Sequence, residues 1–184
     1  MKYTYLLLVF VLTLTSCKKK ISKKTSEAEV HLLIYGTPYD FELKRDGIDN
    51  MGIVTDVSGG GKYTTLTATD ANTLDKDPLQ QLKIIIGFAG ATDAEYTFHV
   101  DPNDSSTPHA SVTINLPGTH LNSEPDFISW ENGFVGIVEV GDKGEYIEGS
   151  IDGQFVDTQL GNGMAYQDMP KTTIHGTFKI YRSN

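Results

Sequence analysis

The sequence is poor in cysteine, in positive charge and in long apolar runs. Cys17 is the only cysteine among 184 residues, which excludes a disulfide framework within the chain and a cysteine-based zinc motif. From Glu27 onward, nine lysine and arginine residues stand against all 24 acidic residues, so this part carries a net charge of −15. A field of that sign repels nucleic acid, and nucleic-acid binding is therefore excluded. The N-terminal apolar run, residues 6–14, is shorter than the about 20 residues that a membrane-spanning helix requires.

The N-terminus has the pattern of an export signal instead. Lys2 precedes the apolar run LLLVFVLTL, and the tetrapeptide LTSC that ends at Cys17 resembles a bacterial lipobox. The resemblance implies that residues 1–16 are a lipoprotein signal peptide and that Cys17 is acylated. The sequence predicts no cofactor other than this covalent lipid, which would anchor the protein because each buried methylene contributes about 0.8 kcal/mol. The alternative is an ordinary signal peptide that happens to contain a cysteine.

The residues after Cys17 have the composition of a tether. The segment KKKISKKTSE, residues 18–27, contains five lysines and one isoleucine, so it cannot form a core. We therefore expect residues 17–29 to join the lipid to a folded domain that covers residues 30–184. Ten extended residues reach about 35 Å, enough to hold that domain away from the headgroups. The lysines would each add on the order of 1 kcal/mol of attraction to an anionic leaflet. A spacer without lipid preference explains them equally well.

Alternation of apolar and polar residues predicts an all-β domain. The clearest runs are residues 145–157 and 173–180, where every second residue is apolar or glycine. Shorter runs with the same pattern fill residues 30–140, and no window of helical period competes with them. Many short strands joined by turns favour a single antiparallel β-sandwich, with a closed β-barrel as the alternative. The pattern also predicts that one strand ends at Trp130 and that a turn follows it.

A paired motif near the C-terminus carries a family resemblance. Residues 151–155 and 174–178 both have the pattern I-x-G-x-F, and the second runs into the terminal sequence FKIYR. Together with the lipobox, this arrangement resembles uncharacterised lipoproteins of Bacteroidota bacteria, known mainly as domains of unknown function. The resemblance covers residues 82–182 and implies a lipid-anchored β-sandwich without a defined activity. Physically, a glycine between two inward apolar residues leaves room for an aromatic ring over the backbone.

No motif predicts catalysis. The sequence GGGK, residues 59–62, lacks the first glycine and the Ser or Thr of a phosphate-binding loop, so a hairpin loop is expected there. The five histidines have no metal-ligand spacing, and no GxSxG nucleophile elbow is present. We therefore expect a non-enzyme without a bound metal. The calcium candidate is an oxygen-rich cluster without EF-hand spacing, which ordinary turn chemistry also explains; its members are Asp70, Asn72, Asp75 and Asp77.

Two features point to binding. Trp130, the only tryptophan, suits a platform for glycans, or else it closes the end of the core with its N–H at the wet rim. Residues 158–171 form a connection of 14 residues where a hairpin usually needs two to five. This connection places Met164, Tyr166 and Met169 where a protein partner would use them. The alternative is that these three side chains fold back over an open end of the core.

The sequence therefore predicts a lipid-anchored protein of the outer membrane that acts by binding. The leading interpretation is an accessory subunit of an outer-membrane protein assembly. We place it on the periplasmic face rather than the cell surface, because the residues after Cys17 are basic, unlike the acidic run that resembles a surface-export signal. The alternative is a carbohydrate-binding module of a glycan-uptake system, with Trp130 as its platform.

Overall fold

The computed structural model describes residues 28–43, 50–58, 60–98, 109–118 and 125–183. Strands dominate these residues, so the predicted all-β class is confirmed. The ten strands are β1 (Glu29–Ile34), β2 (Thr37–Glu42), β3 (Asn50–Asp56), β4 (Lys62–Thr69), β5 (Lys83–Phe88), β6 (Glu95–Phe98), β7 (His109–Asn115), β8 (Phe127–Val140), β9 (Tyr146–Asp157) and β10 (Lys171–Tyr181). Three single-turn 3₁₀ helices cover Ala71–Thr73, Pro78–Gln80 and Tyr166–Asp168. No helix among the described residues is long and apolar enough to cross a membrane.

All ten strands belong to one sheet, in the order β2-β1-β10-β9-β8-β6-β7-β5-β4-β3. Neighbouring strands are antiparallel except for the short parallel pair β6–β7. The sheet curls so far that Gly52 of β3 forms a parallel bridge with Arg182, directly after β10. Part of the sheet closes into a small barrel, and the remaining strands lie outside it. The architecture thus includes the closed barrel that the sequence left as the alternative to two separate sheets.

The period-2 alternation along β9 and β10 defines the core. Ile151, Phe155 and Ile174 are at most 1% exposed, whereas their neighbours Asp152 and His175 face solvent. The predicted inward and outward faces of both strands are therefore confirmed. Because burial of one such apolar side chain contributes about 1.5–3 kcal/mol, this strand pair lies at the centre of the domain's stability.

The glycines of the I-x-G-x-F motifs allow close packing. A Cβ on Gly153 would lie 2.6 Å from Cε2 of Phe98 and 2.5 Å from Cα of Gly133 on the paired strand β8. A Cβ on Gly176 would lie 2.5 Å from Cδ2 of Leu32. The first motif therefore admits an aromatic ring over its glycine, as predicted, whereas the second admits an aliphatic side chain.

Strand β8 corrects one prediction. The sequence predicts a turn after Trp130, but the strand continues without a break from Phe127 to Val140. Asn132 has a left-handed φ of 59°, and the register with β9 shifts between Ser129 and Gly133. These residues form a β-bulge. The sequence Asn-Gly favours tight turns because both residues tolerate positive φ, and here the same tolerance accommodates the bulge.

The backbone of β2, an edge strand of the sheet, is partly capped. A two-residue turn, Tyr35-Gly36 with φ values of 51° and 76°, joins it to β1. Alternation of hydrogen-bonded pairs from that turn leaves residues 38, 40 and 42 facing away from β1. Pro38 has no N–H, and the N–H of Glu42 donates to Oδ1 of Asp70 at 2.9 Å. Two of the three outward donors are therefore absent or bound.

Candidate functional site

The predicted partner segment lies at the end of β1 opposite the point where the chain enters this strand. The chain enters β1 at Glu29 and reaches the turn at Tyr35 six residues later. The hydroxyl of Tyr35 donates to Oδ2 of Asp157, the last residue of β9, at 2.8 Å. The connection from β9 to β10 therefore lies beside this turn. Since six strand residues span about 20 Å, the two ends of the domain are separated by about that distance.

Exposed apolar side chains concentrate at this end, named here the distal end and defined as Tyr35 with residues 158–170. The exposed fractions are 57% for Tyr35, 65% for Leu160, 52% for Met164 and 42% for Tyr166. These four make up half of the eight large apolar side chains that are exposed among the described residues. Single exposed apolar residues are ordinary, whereas a group of them at one end of a domain is a candidate interaction surface.

The structure separates the three residues of the predicted partner loop. Met164 and Tyr166 are exposed, whereas Met169 is only 8% exposed. Met169 packs tightly on Gly161: a Cβ added to Gly161 would lie 2.8 Å from the Cβ of Met169. Met169 is therefore buried within the loop and is not presented at its surface. Leu160, a residue without a predicted role, is also exposed in this loop.

Hydrogen bonds hold the distal loop in a defined shape. The Asp157 carboxylate accepts the N–H of Leu160 at 2.9 Å in addition to the Tyr35 hydroxyl. Backbone bonds from Met164 to Gly161 and from residue 168 to residue 165 fold the rest of the segment. Although Tyr35 as a whole is exposed, burial of its hydroxyl raises its pKa to about 12, and the bond to Asp157 acts in the same direction. The exposed side chains thus project from a folded segment.

Trp130 lies in the β8 bulge rather than at a strand end. Its side chain is half-buried, and Nζ of Lys171 lies 5.5 Å from the ring centroid. A cation over an aromatic face contributes about 0.5–1 kcal/mol at such a site, so this contact stabilises the native state. Lys171 therefore lies over one face of the Trp130 ring.

The calcium candidate is not assembled as a carboxylate cluster. Asp70 is buried, and its Oδ1 accepts the N–H of Glu42 at 2.9 Å and lies 3.5 Å from Nδ2 of Asn72. Among the described residues, no three His, Cys, Asp or Glu side chains come together in a group that would hold a metal. Asp75 and Asp77 therefore do not join Asp70 in such a group. The Asp70 carboxylate binds the backbone of the edge strand β2 instead, and Asn72 donates to the same oxygen.

A groove on the outer face of the sheet is a second feature, and sequence reasoning missed it. It crosses β2, β1, β10 and β9 to reach β8, and its volume is about 470 Å³. Antiparallel register aligns its side chains in two cross-strand rows. The first row is Pro38, Leu33, His175, Asp152 and Phe134; the second is Asp40, His31, Thr177 and Ser150.

Two His–Asp pairs line this groove. Nδ1 of His31 lies 2.6 Å from Oδ1 of Asp40, and Nδ1 of His175 lies 2.9 Å from Oδ2 of Asp152. The hydrogen bond to Asp40 raises the pKa of His31 and Glu29 adds to that effect, whereas partial burial acts against it. The first pair was detectable from sequence, because a two-residue turn at residues 35–36 places residue 31 opposite residue 40. The second depends on the register across the long distal loop.

Both candidate features, the distal end and the groove, are formed by residues that the structure describes. Cys17 and residues 18–27 lie outside the described residues. Comparison of the chain with protein-family models, curated proteins and solved structures finds no match.

Proposed function

We propose that this protein is a lipid-anchored cell-envelope domain that binds a protein partner through its distal end, as an accessory subunit of an outer-membrane assembly. The observation that carries the proposal is the group of four exposed apolar side chains at one end of the sheet: Tyr35, Leu160, Met164 and Tyr166. The absence of a catalytic motif in the sequence accords with action by binding.

The composition of the distal end suits a protein partner. Tyrosine and methionine are enriched in protein interfaces because they combine large apolar area with a polar or adaptable group. The hydrogen bonds that fold residues 158–170 reduce the ordering that binding would require. A body with a net charge of −15 favours a partner whose surface carries positive charge.

The position of the distal end determines which part of the partner it would meet. The lipid on Cys17 would hold the N-terminus at the membrane, on the periplasmic face of the outer membrane, and residues 17–29 would lead to β1. Because β1 runs from this attachment toward the turn at Tyr35, the distal end lies on the far side of the domain. The partner would then be contacted through a domain that projects into the periplasm.

Co-purification with matched variants tests the partner site. The variant Met164→Ser/Tyr166→Ser removes two of the three exposed apolar side chains of the distal loop, and the control Val57→Ser/Ile85→Ser removes two exposed apolar side chains elsewhere. We expect an outer-membrane protein to co-purify from gently solubilised membranes with the wild type and the control, but not with the distal variant. All three proteins should melt at similar temperatures. Equal recovery with both variants, or no such protein with the wild type, contradicts the proposal.

The anchor has its own test. Cys17→Ala should leave the protein unacylated, so intact mass measurement should show acyl chains on the wild type alone. Fractionation should find the wild type in the outer membrane. The Cys17→Ala protein, if its signal peptide is cleaved at another position, should be absent from that fraction. A wild-type protein without the acyl mass overturns this part of the proposal and leaves the partner site unaffected.

A further inference from the structure

We infer that the outer-face groove binds a neutral, hydroxyl-rich small ligand of the chemical class of a mono- or disaccharide. This site is separate from the distal end and from Trp130, and the inference does not rest on the proposed protein partner. The side chains that would contact the ligand are the apolar walls Leu33, Pro38 and Phe134 and the polar floor between them. Four strand pairings hold these residues, so the groove is preformed.

The shape of the groove follows from small side chains at its centre. Thr177 and Ser150 face each other across β10 and β9; the His31–Asp40 pair continues their row, and the His175–Asp152 pair lies in the neighbouring row. Phe134 lies at the edge of this depression. A Cβ added to Gly136 would lie 3.5 Å from the Phe134 ring and 3.2 Å from Oγ of Ser150. The groove has a volume of about 470 Å³ and is broadly open to solvent, so a bound ligand would keep one side exposed.

The groups in the groove match a sugar. Hydroxyls both donate and accept, and the floor offers carboxylate oxygens of Asp40 and Asp152 as acceptors and the hydroxyls of Ser150 and Thr177 as either. Each aspartate is held by a histidine, so its direction is fixed before a ligand arrives. The ring of Phe134 suits the apolar C–H face of a pyranose, which needs contact area without hydrogen bonds.

Other ligand classes fit less well. An anion would meet the carboxylates of Glu29, Asp40 and Asp152 in a body of net charge −15. A purely apolar ligand would bury the polar floor without hydrogen bonds, which is costly. No described group of three His, Cys, Asp or Glu side chains is arranged to hold a metal ion. A cation would compete with histidines that already bind both aspartates.

Two tyrosine substitutions on one strand provide the test. Thr177→Tyr fills the centre of the groove, whereas Thr173→Tyr adds the same ring to the same exposed face of β10, outside the groove. Both should fold, because tyrosine is favourable in strands. Phe134→Leu is a third variant, which removes the aromatic wall and keeps the groove open.

Saturation-transfer NMR on the detergent-solubilised full chain measures the binding. The neutral probes are maltose, lactose and N-acetylglucosamine at about 10 mM, which detects a Kd near 1 mM, and glucuronate is the anionic probe. We expect a signal on the ring C–H protons of at least one neutral probe with the wild type and Thr173→Tyr. The affinity should fall about tenfold or more in Thr177→Tyr, and several-fold in Phe134→Leu. Silence from every neutral probe, stronger binding of glucuronate, or undiminished binding by a folded Thr177→Tyr overturns the inference. None of these outcomes changes partner recovery at the distal end.

Discussion

The substitution Gly153→Ala is the most direct test of how β8 and β9 pack. The added methyl group would point inward and lie 2.6 Å from Cε2 of Phe98 and 2.5 Å from Cα of Gly133. The ring of Phe98 can rotate, but Gly133 is backbone on the strand paired with β9, so the strands themselves must separate.

The size of the effect is a balance of two terms. Overpacking of a filled core costs about 1–3 kcal/mol. Alanine also relieves the conformational entropy of glycine, which favours the variant by roughly 0.5–1 kcal/mol. The steric cost exceeds the entropic gain because one of the two close contacts is with backbone. We therefore expect Gly153→Ala to lower the free energy of unfolding by about 1–2 kcal/mol, or the melting temperature by about 2–8 °C for a domain of this size.

Urea unfolding followed by Trp130 fluorescence and circular dichroism measures this loss. Gly118→Ala is the matched control, because a Cβ there meets nothing within 4 Å and the residue has no left-handed φ. The control should be neutral or up to about 1 kcal/mol more stable. Adding Phe98→Leu to Gly153→Ala should recover part of the loss, since it removes the ring and leaves the Gly133 contact. Equal stability of the two alanine variants would refute the packing argument.

Two further predictions concern the outer and inner faces of the sheet. Ile151→Asp should lower the free energy of unfolding by at least about 3 kcal/mol, because it buries an unpaired charge, whereas Asp152→Asn on the solvent face should change it by under about 0.5 kcal/mol; equal urea midpoints would show that the faces are reversed. Asp40→Asn should lower the pKa of His31 toward its ordinary value of 6.5, measured by NMR titration of the ring protons. Because the folded-state pKa of His31 is raised, its pairing stabilises the fold below the unfolded pKa, and this contribution disappears as pH rises through the folded pKa. The effect should be small since both side chains are at least half exposed, and an unchanged pKa in Asp40→Asn would show that the hydrogen bond is not its cause.

The buried residues of the core were predictable wherever the alternation of apolar and polar residues within one strand was enough to identify them. In β9, alternation between Ile151 and Asp152 fixes which face is buried without any knowledge of the partner strand. The bulge in β8 was not predictable, because Asn132 with a positive φ satisfies a turn and a bulge equally. Sequence gives the local preference, and the pairing with β9 decides between the two outcomes.

The candidate sites were less predictable than the core, because they depend on side chains from distant positions. The exposed face of the distal loop was foreseen through Met164 and Tyr166, but the inward direction of Met169 depends on its contact with Gly161. The groove draws its two rows from five strands, and two of the four pairings depend on distant segments: β1–β10 spans the whole domain and β9–β10 crosses the long distal loop. The residue types of such a site can be seen in the sequence, but the strand register that brings them together cannot.

The capped edge of β2 has a consequence for how the protein behaves at high local concentration. If the lipid on Cys17 restricts the protein to two dimensions, neighbouring copies meet far more often than they would in solution, and an open edge strand would then be a template for sheet extension from copy to copy. Pro38 and the bond from Glu42 to Asp70 interrupt that template at two of its three outward positions. Asp70, which the sequence offers as a calcium ligand, thus protects an edge strand in the structure.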